Sequence, residues 1–215
     1  MTKQGAAVII DIVGSRRQDD RAQAQRELEQ AMATVNTLVR AIQPMEPTIG
    51  DESQALYPDV PSALLATLLL RLTLPAPLDC RFGIGLGDYL TVGSSNYGQV
   101  QDGSAWWSAR AAIIEAKSRE SQRTKTLRTW YAVGDGVTGG FEPSITNAYL
   151  LCRDQLVSEM SDRSRRILLG LVKGETQVQL AESEQISQSA ISQNIRASGA
   201  HIVFASGKLL GVQIA

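Results

Sequence analysis

Apolar positions in residues 1–118 change their spacing several times, which predicts alternating strands and helices. A short, continuous run rich in valine and isoleucine at 6–12 is typical of a buried strand. Apolar residues then recur every three or four positions across 19–42 and predict an amphipathic helix, with Asp19 or Asp20 as its N-cap and Pro44 beyond its end. The predicted buried face of this helix consists of Ala24, Leu28, Ala31, Val35, Leu38 and Ile42.

The following segments complete the order β-α-β-β-α-β-α. They are strands at 45–49 and 53–57 joined at the turn GDE, an apolar helix at 62–72 after Pro61, a strand at 80–93, and a helix at 102–118. The strand at 80–93 alternates large apolar residues with glycines, so its backbone is expected to approach a neighbouring element or a ligand closely. The order predicts an α+β fold with a ferredoxin-like, or palm, domain over residues 1–130.

A glycine-rich stretch at 131–145 is predicted to link this domain to an all-α domain over 146–215. The short helices of the second domain begin after Ser161, Thr176 and Ser187, each of which is a favourable N-cap. The last two of these helices meet through a short turn, which is the pattern of a helix-turn-helix.

Polar side chains line the predicted outward face of the helix that Ser187 begins. Glutamine can pair bidentately with adenine, and arginine can bind guanine or phosphate, so this face suits DNA. The predicted DNA-binding residues are Gln188, Ser189, Ser192, Gln193 and Arg196. Gln185 stands in the turn where glycine is usual, which predicts strain if its φ is positive. The alternative interpretation is a small helical bundle used for packing or dimerisation.

Charge and composition limit the classes of binding partner that the protein is expected to have. The chain is 43% hydrophobic and 20% charged, as is typical of a globular protein, and its net charge of −1 gives no general attraction to polyanions. Dimerisation is the expected way to gain DNA affinity, so a homodimer is predicted. Two separated cysteines suit a reducing compartment, and no signal peptide or membrane-length apolar run is evident, so we expect a cytoplasmic protein without a membrane partner. The single histidine, His201, excludes a zinc site built from several histidines.

Carboxylates occur where the predicted strands end. Asp11 lies within the first apolar run, and Asp51 and Glu52 lie in the turn between the second and third strands. The predicted topology brings these positions to one edge of the sheet, where like charges repel unless a cation lies between them. All three are therefore predicted ligands of Mg²⁺ or Mn²⁺. The alternative is that Asp11 caps a turn through the amides of Gly14 and Ser15.

Five basic residues and one acidic residue lie within 117–128. We interpret this stretch as a solvated connection between elements. The alternative is a flank that faces phosphate groups.

Several motifs resemble the SatD family of bacterial proteins and together span nearly the whole chain. They are DIVGSRR, TIGDESQALY, RFGIGLGD, DGSAWWSARAAIIEAK and TQVQLAESEQISQSAISQ, in that order. The N-terminal motifs also resemble, more distantly, class III nucleotidyl cyclases and diguanylate cyclases. This second resemblance implies that Asp11 and Asp51 bind metal, that Glu52 is similar to an acidic residue of the diguanylate signature, and that Arg110 stabilises a transition state if the protein is an enzyme.

Two positions depart from the cyclase pattern. Pro47 stands where a purine-reading lysine is expected, and Trp106 stands where a positioning asparagine is expected. The resemblance therefore implies a degenerate domain that binds a purine or pyrimidine nucleotide, with Trp106 and Trp107 either stacking on a base or packing in the core. The predicted nucleotide-binding residues are Gly14, Ser15, Arg16 and Arg110.

Three functions are compatible with these patterns. The leading interpretation is a DNA-binding regulator in which the palm domain binds a nucleotide with Mg²⁺ or Mn²⁺. The alternative is an active nucleotidyl cyclase or nucleotidyltransferase whose C-terminal helices serve assembly. The third is an oligomeric structural or interaction protein in which Asp11 and Asp51 only form turns.

Overall fold

A computed structural model describes residues 3–14, 20–48, 52–95, 98–120, 124–212 and 214. The strands are β1 (Lys3–Ile12), β2 (Gln43–Pro47), β3 (Glu52–Tyr57), β4 (Cys80–Ser95), β5 (Gly98–Asp102) and β6 (Thr129–Val133). The helices are α1 (Arg21–Leu38), α2 (Val60–Thr73), α3 (Ser104–Glu120), α4 (Pro143–Glu159), α5 (Asp162–Val172), α6 (Gln177–Glu184), α7 (Gln188–Ala197) and α8 (Ala200–Leu209).

One mixed sheet organises the N-terminal part of the chain. Its strand order is β2-β3-β1-β4-β5, with antiparallel pairs throughout, and β6 pairs with β4 in parallel. The first four strands with α1 and α2 form the ferredoxin-like β-α-β-β-α-β unit. The α+β fold predicted from the sequence is confirmed.

The two faces of the sheet bury different clusters because side chains alternate along each strand. Val8 and Ile10 point toward the larger core, which α1 and α2 cover and which also includes residues of α4, α5 and α8. Ala7 and Ile9 point the other way and pack against α3. Asp11 continues this second set, so it lies on the face that α3 covers.

Glycines on β4 allow α3 to lie directly on the strand. A Cβ atom added at Gly85 would lie 2.2 Å from both the Ala105 carbonyl oxygen and the Ala109 amide nitrogen. Gly83 and Gly87 face α3 at similarly short range. The predicted close backbone approach is confirmed, and the neighbour is a helix.

The first helix is shorter than predicted. Asp20 is its N-cap and accepts a hydrogen bond from the Gln23 amide at 2.8 Å. It is one of the two residues predicted for this role. The helix ends at Leu38, however, and the Ile42 amide already donates to the Leu56 carbonyl of β3 at 2.8 Å. The predicted extension to Ile42 is therefore wrong, because that part of the chain has already joined the sheet.

The strand β6 was not predicted from the sequence. Residues 131–133 of the predicted linker belong to β6, and residues 143–145 begin α4. Asn147 of α4 accepts a hydrogen bond from the Tyr131 amide at 2.8 Å and donates one to the Tyr131 carbonyl at 2.9 Å, so its amide group pairs with β6 as a strand backbone would. The division into two domains at this point stays a prediction.

The C-terminal helices have the predicted caps. Ser161, Thr176 and Ser187 cap α5, α6 and α7, and Thr176 forms a full capping box. A small apolar cluster holds these helices together through Ile167, Leu180, Ile191 and Ile195. Gln185, the residue that follows α6, has φ 54° and ψ 44°, so the condition under which strain was predicted at this turn is met.

Candidate functional site

Charged side chains from three adjacent strands meet at one end of the sheet. Asp11 of β1 is paired in register with Glu52 of β3 on one side and with Arg81 of β4 on the other. All three face α3, whose Arg110 and Glu120 complete the group. We call these five residues the sheet-end cluster.

Asp11 is compensated by an arginine. Its Oδ2 atom lies 2.7 Å from Nη1 of Arg81, and the Asp11 side chain is only 21% exposed. A partly buried carboxylate is costly unless a cation or hydrogen bonds meet it, and the guanidinium supplies both. Arg81 is itself buried and also binds Glu120, with Nε 2.9 Å from Oε2.

Glu52 forms a second, more exposed ion pair with Arg110. Nη1 and Nη2 of Arg110 donate to the two carboxylate oxygens of Glu52 at 2.5 and 2.7 Å, which is a bidentate arrangement. The hydrogen bonds to Glu52 raise the pKa of the Arg110 guanidinium, and the nearby charge of Asp11 acts in the same direction. Arg110 is 48% exposed and so lies at the solvent-facing rim of the cluster.

The structure thus brings together Asp11, Glu52 and Arg110 among the predicted site residues. Gly14 lies in the turn after β1, with φ 69°, a backbone conformation that glycine adopts without strain. Asp51, Ser15 and Arg16 lie outside the described residues.

Arg81 and Glu120 were not identified from the sequence. Arg81 lies in the quoted motif RFGIGLGD, and the alternation of β4 puts it on the same face as the glycines. Its partner Asp11 is 70 positions away, so the pairing depends on strand register. The signal that could have identified Arg81 is a lone charge at the start of a strand that is otherwise apolar and glycine-rich.

The basic stretch at 117–128 is only partly solvated in its described residues. Arg128 is half-buried and bridges Glu120 and Asp79 through contacts of 3.1 and 2.7 Å. Arg119 pairs with Glu115 at 2.7 Å and stacks over the Trp130 ring at 4.3 Å from its centroid. These arginines therefore hold the end of α3 and the start of β6 in place.

The two adjacent tryptophans have different environments. Trp106 is half-buried and packs against the apolar residues between the sheet and α3, which include Ala7 and Ile9. Trp107 is 65% exposed, and its indole nitrogen donates to Asp102 at 3.0 Å. Trp106 thus contributes to packing, and Trp107 presents a ring to solvent.

A divalent cation is compatible with the cluster only after a change of partners. The described residues contain no group of three or more His, Cys, Asp or Glu side chains arranged to hold a metal ion. Asp11 and Glu52 are oxygen ligands of the kind that Mg²⁺ and Mn²⁺ prefer, and they are register neighbours. Each carboxylate already binds a guanidinium. The two carboxylates could therefore bind the ion only after Arg81 and Arg110 have moved away from them.

A second candidate surface lies on α7. Ile191 and Ile195 are buried in the apolar cluster, and the opposite face of the helix is polar. Gln188, Ser189, Gln193 and Arg196 are exposed, and Ser192 is partly exposed. A shallow depression of about 510 Å³ runs beside this helix, between α6 and the turn that holds Gln185 and Ile186.

Acidic and basic side chains behind α7 are paired with each other. Glu184, the last residue of α6, binds Arg166 through two contacts of 2.7 Å and Arg163 through one of 3.4 Å. The hydrogen bond from Arg166 lowers the pKa of the Glu184 carboxyl. These pairs fix α6 against α5 and leave less free positive charge in the module.

Several solved structures of nucleotide cyclases are similar to part of this chain. A bacterial light-regulated adenylyl cyclase is 13% identical, with a TM-score of 0.46, over 61% of this chain and 76% of its own. The adenylyl cyclase CyaB from P. aeruginosa is 13% identical, with a TM-score of 0.38, over 52% and 72%. A guanylyl cyclase is 13% identical, with a TM-score of 0.42, over 54% and 71%. Similarities this remote assign no activity. None of the curated proteins matches the sequence.

Two broader findings complete the comparison. Among the helices that the structure describes, none has the length and apolar character needed to cross a membrane. A model of the SatD family matches residues 6–209, which is nearly the full length. The chain belongs to the SatD family.

Proposed function

We propose that this protein is a DNA-binding regulator with two ligand surfaces. In this proposal α6 and α7 form a helix-turn-helix, with α7 in the major groove. The sheet-end cluster binds a nucleotide together with Mg²⁺ or Mn²⁺. The observation that carries the DNA part is the two-sided character of α7, and the observation that carries the nucleotide part is the convergence of Asp11, Glu52 and Arg110.

The amphipathic character of α7 supports a role in recognition. Ile191 and Ile195 anchor the helix, so its outward side chains are held on a rigid element. Glutamine, serine and arginine at the exposed positions match the hydrogen-bonding groups of base edges and phosphates. If α7 served only for packing, any residue that tolerates water could occupy its exposed face. The concentration of base-contacting residue types on that face therefore favours recognition.

The modest charge of the module supports binding as a homodimer. Arg163 and Arg166 share the carboxylate of Glu184, whose single negative charge offsets one of their two positive charges, and Arg196 is the basic residue of α7. Few phosphate contacts per copy give weak binding at physiological salt. Two copies on adjacent half-sites would add their contacts, as in other helix-turn-helix proteins.

An exchange of ion pairs supports nucleotide binding at the sheet end. Asp11 and Glu52 can turn from Arg81 and Arg110 toward a divalent cation; the freed Arg110 guanidinium can then bind phosphate oxygens bidentately, while Arg81 stays paired with Glu120. No charge is left unpaired in either state, so the exchange avoids the large cost of a lone partly buried charge. The divalent ion would supply neutralisation of the triphosphate.

Variants on α7 test the DNA part. Gln188→Ala, Ser192→Ala and Arg196→Ala should each weaken binding to a promoter fragment by about 5–150-fold, as expected for the loss of a specific base contact. Their melting temperatures should stay near that of the wild type, because these side chains are exposed or partly exposed. Arg40→Ala removes an exposed arginine outside the module and serves as the matched control. Wild-type affinity in all three α7 variants would contradict the assignment of α7 as the recognition helix.

Nucleotide incubation tests the other part. The purified protein is mixed with ATP, GTP, CTP or UTP and Mg²⁺ or Mn²⁺, and both binding and products are followed, with Asp11→Asn and Asp51→Ala as comparison variants. Binding without product, lost in the variants, is the expected result. A product lost in the variants would instead make the protein an active cyclase or nucleotidyltransferase. The absence of binding to all four nucleotides would refute the nucleotide part.

A further inference from the structure

We propose that a chain of ion pairs couples the sheet-end cluster to the C-terminal helices, so that metal–nucleotide binding at Asp11 changes the DNA affinity of α7. This inference rests on the proposed function. It adds a physical connection between the two surfaces and a direction for the effect: displacement of Arg81 from Asp11 is the first event, and a shift of α5 is the last.

The first half of the chain lies on the α3 face of the sheet. Arg81 binds Asp11 at 2.7 Å and Glu120 at 2.9 Å, so one guanidinium is divided between two carboxylates. Glu120 in turn binds Arg128 at 3.1 Å through its other oxygen. Arg128 lies just before β6, at the end of the sheet.

The second half of the chain passes to the opposite face. Arg128 Nε binds Asp79 at 2.7 Å, and Asp79 binds Arg71 of α2 through contacts of 3.0 and 3.1 Å. Arg71 binds Asp154 of α4 at 3.2 Å, and Asp154 binds its neighbour Arg153 at 3.0 Å. A continuous path of charged groups therefore joins β1 to α4.

The charges alternate along the entire path. Carboxylates at Asp11, Glu120, Asp79 and Asp154 alternate with guanidiniums at Arg81, Arg128, Arg71 and Arg153. Each interior member is shared between two partners, so the loss of one partner lets it bind the other more strongly. Arg71 and Asp154 are 2% and 0% exposed, and solvent cannot compensate them if they lose a partner. A change at one end is thus met by re-pairing along the path.

The buried end of the path contacts the C-terminal helices directly. Arg71 donates to the Ser158 hydroxyl of α4 at 3.1 Å, and its carbonyl oxygen accepts a hydrogen bond from Arg165 of α5. α5 also carries Arg163 and Arg166, which hold Glu184 at the end of α6. Arg71 thus connects the path to α5 through its own backbone carbonyl, and in this proposal a displacement of Arg71 is passed on to the helix that contacts α6 and α7.

The exposed end of the path is where partners can exchange. Asp11 is 21% exposed, and Arg81 already binds Glu120 with two of its nitrogens. Arg81 can thus leave Asp11 and remain paired, provided that a cation takes its place at the carboxylate. In one state Arg81 binds both Asp11 and Glu120, and in the other it binds Glu120 alone. The ligand binds only the second state, in which Asp11 is available, and so shifts the equilibrium toward it.

Reciprocal binding measurements test the coupling. The affinity for a fluorescently labelled mixed-sequence DNA duplex is measured at low salt by anisotropy, with and without Mn²⁺ plus each of ATP, GTP, CTP and UTP. The affinity for Mn²⁺ plus nucleotide is measured by calorimetry with and without the unlabelled duplex. For an effective nucleotide, we expect both affinities to change by the same factor, of about 5–150-fold, because linkage is reciprocal.

Glu120→Gln interrupts the path next to Arg81 and leaves Asp11 and α7 unsubstituted. Because Glu120 also belongs to the sheet-end cluster, the affinity of this variant for Mn²⁺ plus nucleotide is first measured without DNA, and its coupling factor is taken relative to that value. We expect its coupling factor to fall close to 1. Glu115→Gln removes another carboxylate from α3, one that pairs with Arg119 outside the path, and should keep the wild-type coupling factor. Glu120→Asp, which keeps the charge on a shorter side chain, replaces Glu120→Gln if the latter does not fold by circular dichroism.

Each outcome has a definite meaning. Equal affinities with and without the second ligand, in a wild-type protein that binds both, overturn the coupling and leave the proposed function standing. A Glu120→Gln protein that keeps the wild-type coupling factor also overturns the path. A wild-type protein that binds no DNA, or that binds none of the four nucleotides, overturns that part of the proposed function, and this inference falls with it.

Discussion

The charged groups at the end of the sheet and the polar groups on α7 are used in opposite ways. At the sheet end, Asp11 of β1 is bound to Arg81 of β4, and Glu52 of β3 is bound to Arg110 of α3, so these four charges are paired within the protein. On α7, the apolar residues are used for packing, and the polar side chains face outward.

This difference separates two kinds of binding surface. A partner that approaches α7 finds side chains that can be engaged without breaking a native ion pair. A ligand that approaches the sheet end must replace each bond that it breaks, and only a ligand carrying both positive and negative charge can do so. A metal–nucleotide complex has this composition, which is why the two surfaces suit different partners.

The largest expected effect comes from the buried end of the ion-pair path. Asp154→Asn removes the charge that pairs with Arg153 and leaves Arg71 with Asp79 alone, and both arginines are almost fully buried. We expect the free energy of unfolding to fall by about 3–5 kcal/mol in urea denaturation. Asp135→Asn, at an exposed loop position, should have little effect. Similar values for the two variants would mean that Asp154 is not essential to the interior.

Acid should weaken the same path. Burial alone would raise the pKa of the Asp79 carboxyl, but Arg71 and Arg128 lower it below the ordinary 3.8. Such a group stabilises the folded state above its ordinary pKa, and this contribution is lost as the pH falls through the lower, folded-state pKa. Denaturation series should show stability falling more steeply below about pH 4 in the wild type than in Asp79→Asn. If the free energy of unfolding fell equally steeply with decreasing pH in both proteins, Asp79 would not be the cause of the loss of stability in acid.

The turn before α7 offers a gain in stability. Gln185 holds a left-handed conformation that is unfavourable for a residue with a Cβ atom. Gln185→Gly should raise the free energy of unfolding by up to about 1 kcal/mol. Gln193→Gly makes the same change inside α7 and should lower it by about 1 kcal/mol. A decrease in both variants would show that the Gln185 side chain stabilises the turn.

The smallest effect is expected at the rim of the sheet-end cluster. The Glu52 and Arg110 side chains are 35% and 48% exposed, so water screens their ion pair. Glu52→Gln should change the free energy of unfolding by less than about 1 kcal/mol in the same urea assay. A loss as large as that of Asp154→Asn would mean that the exposed rim of the sheet-end cluster is as important to stability as the buried end of the path.

Local signals in the sequence predicted the fold well. The caps at Asp20, Ser161, Thr176 and Ser187 depend on residues only three positions away, so they can be identified without knowledge of the fold. The order of the first four strands, β2-β3-β1-β4, follows from the topology of the predicted β-α-β-β-α-β unit, whereas β5 was not predicted. The parallel strand β6 was missed because it is short and lies among glycines and turn residues that resemble a linker.

The site was predicted only in part, for a physical reason. Asp11 and Glu52 attract attention because each charge interrupts or adjoins an apolar run. The cation that meets Asp11 is Arg81, and nothing within a few residues of either one indicates the pair. The remaining members of the path, such as Asp79 and Asp154, come from separate elements that only tertiary packing brings together.

The glycines of β4 have a mechanical consequence. Side chains at an interface can change rotamer and let two elements slide, but atoms of the backbone have no such freedom. α3 rests on β4 through its main chain at Ala105 and Ala109, so strand and helix must move as one stiff unit. The backbone positions of Arg110 and Glu120 on α3 are therefore held at a fixed spacing. A movement of α3 that displaces one of them displaces the other.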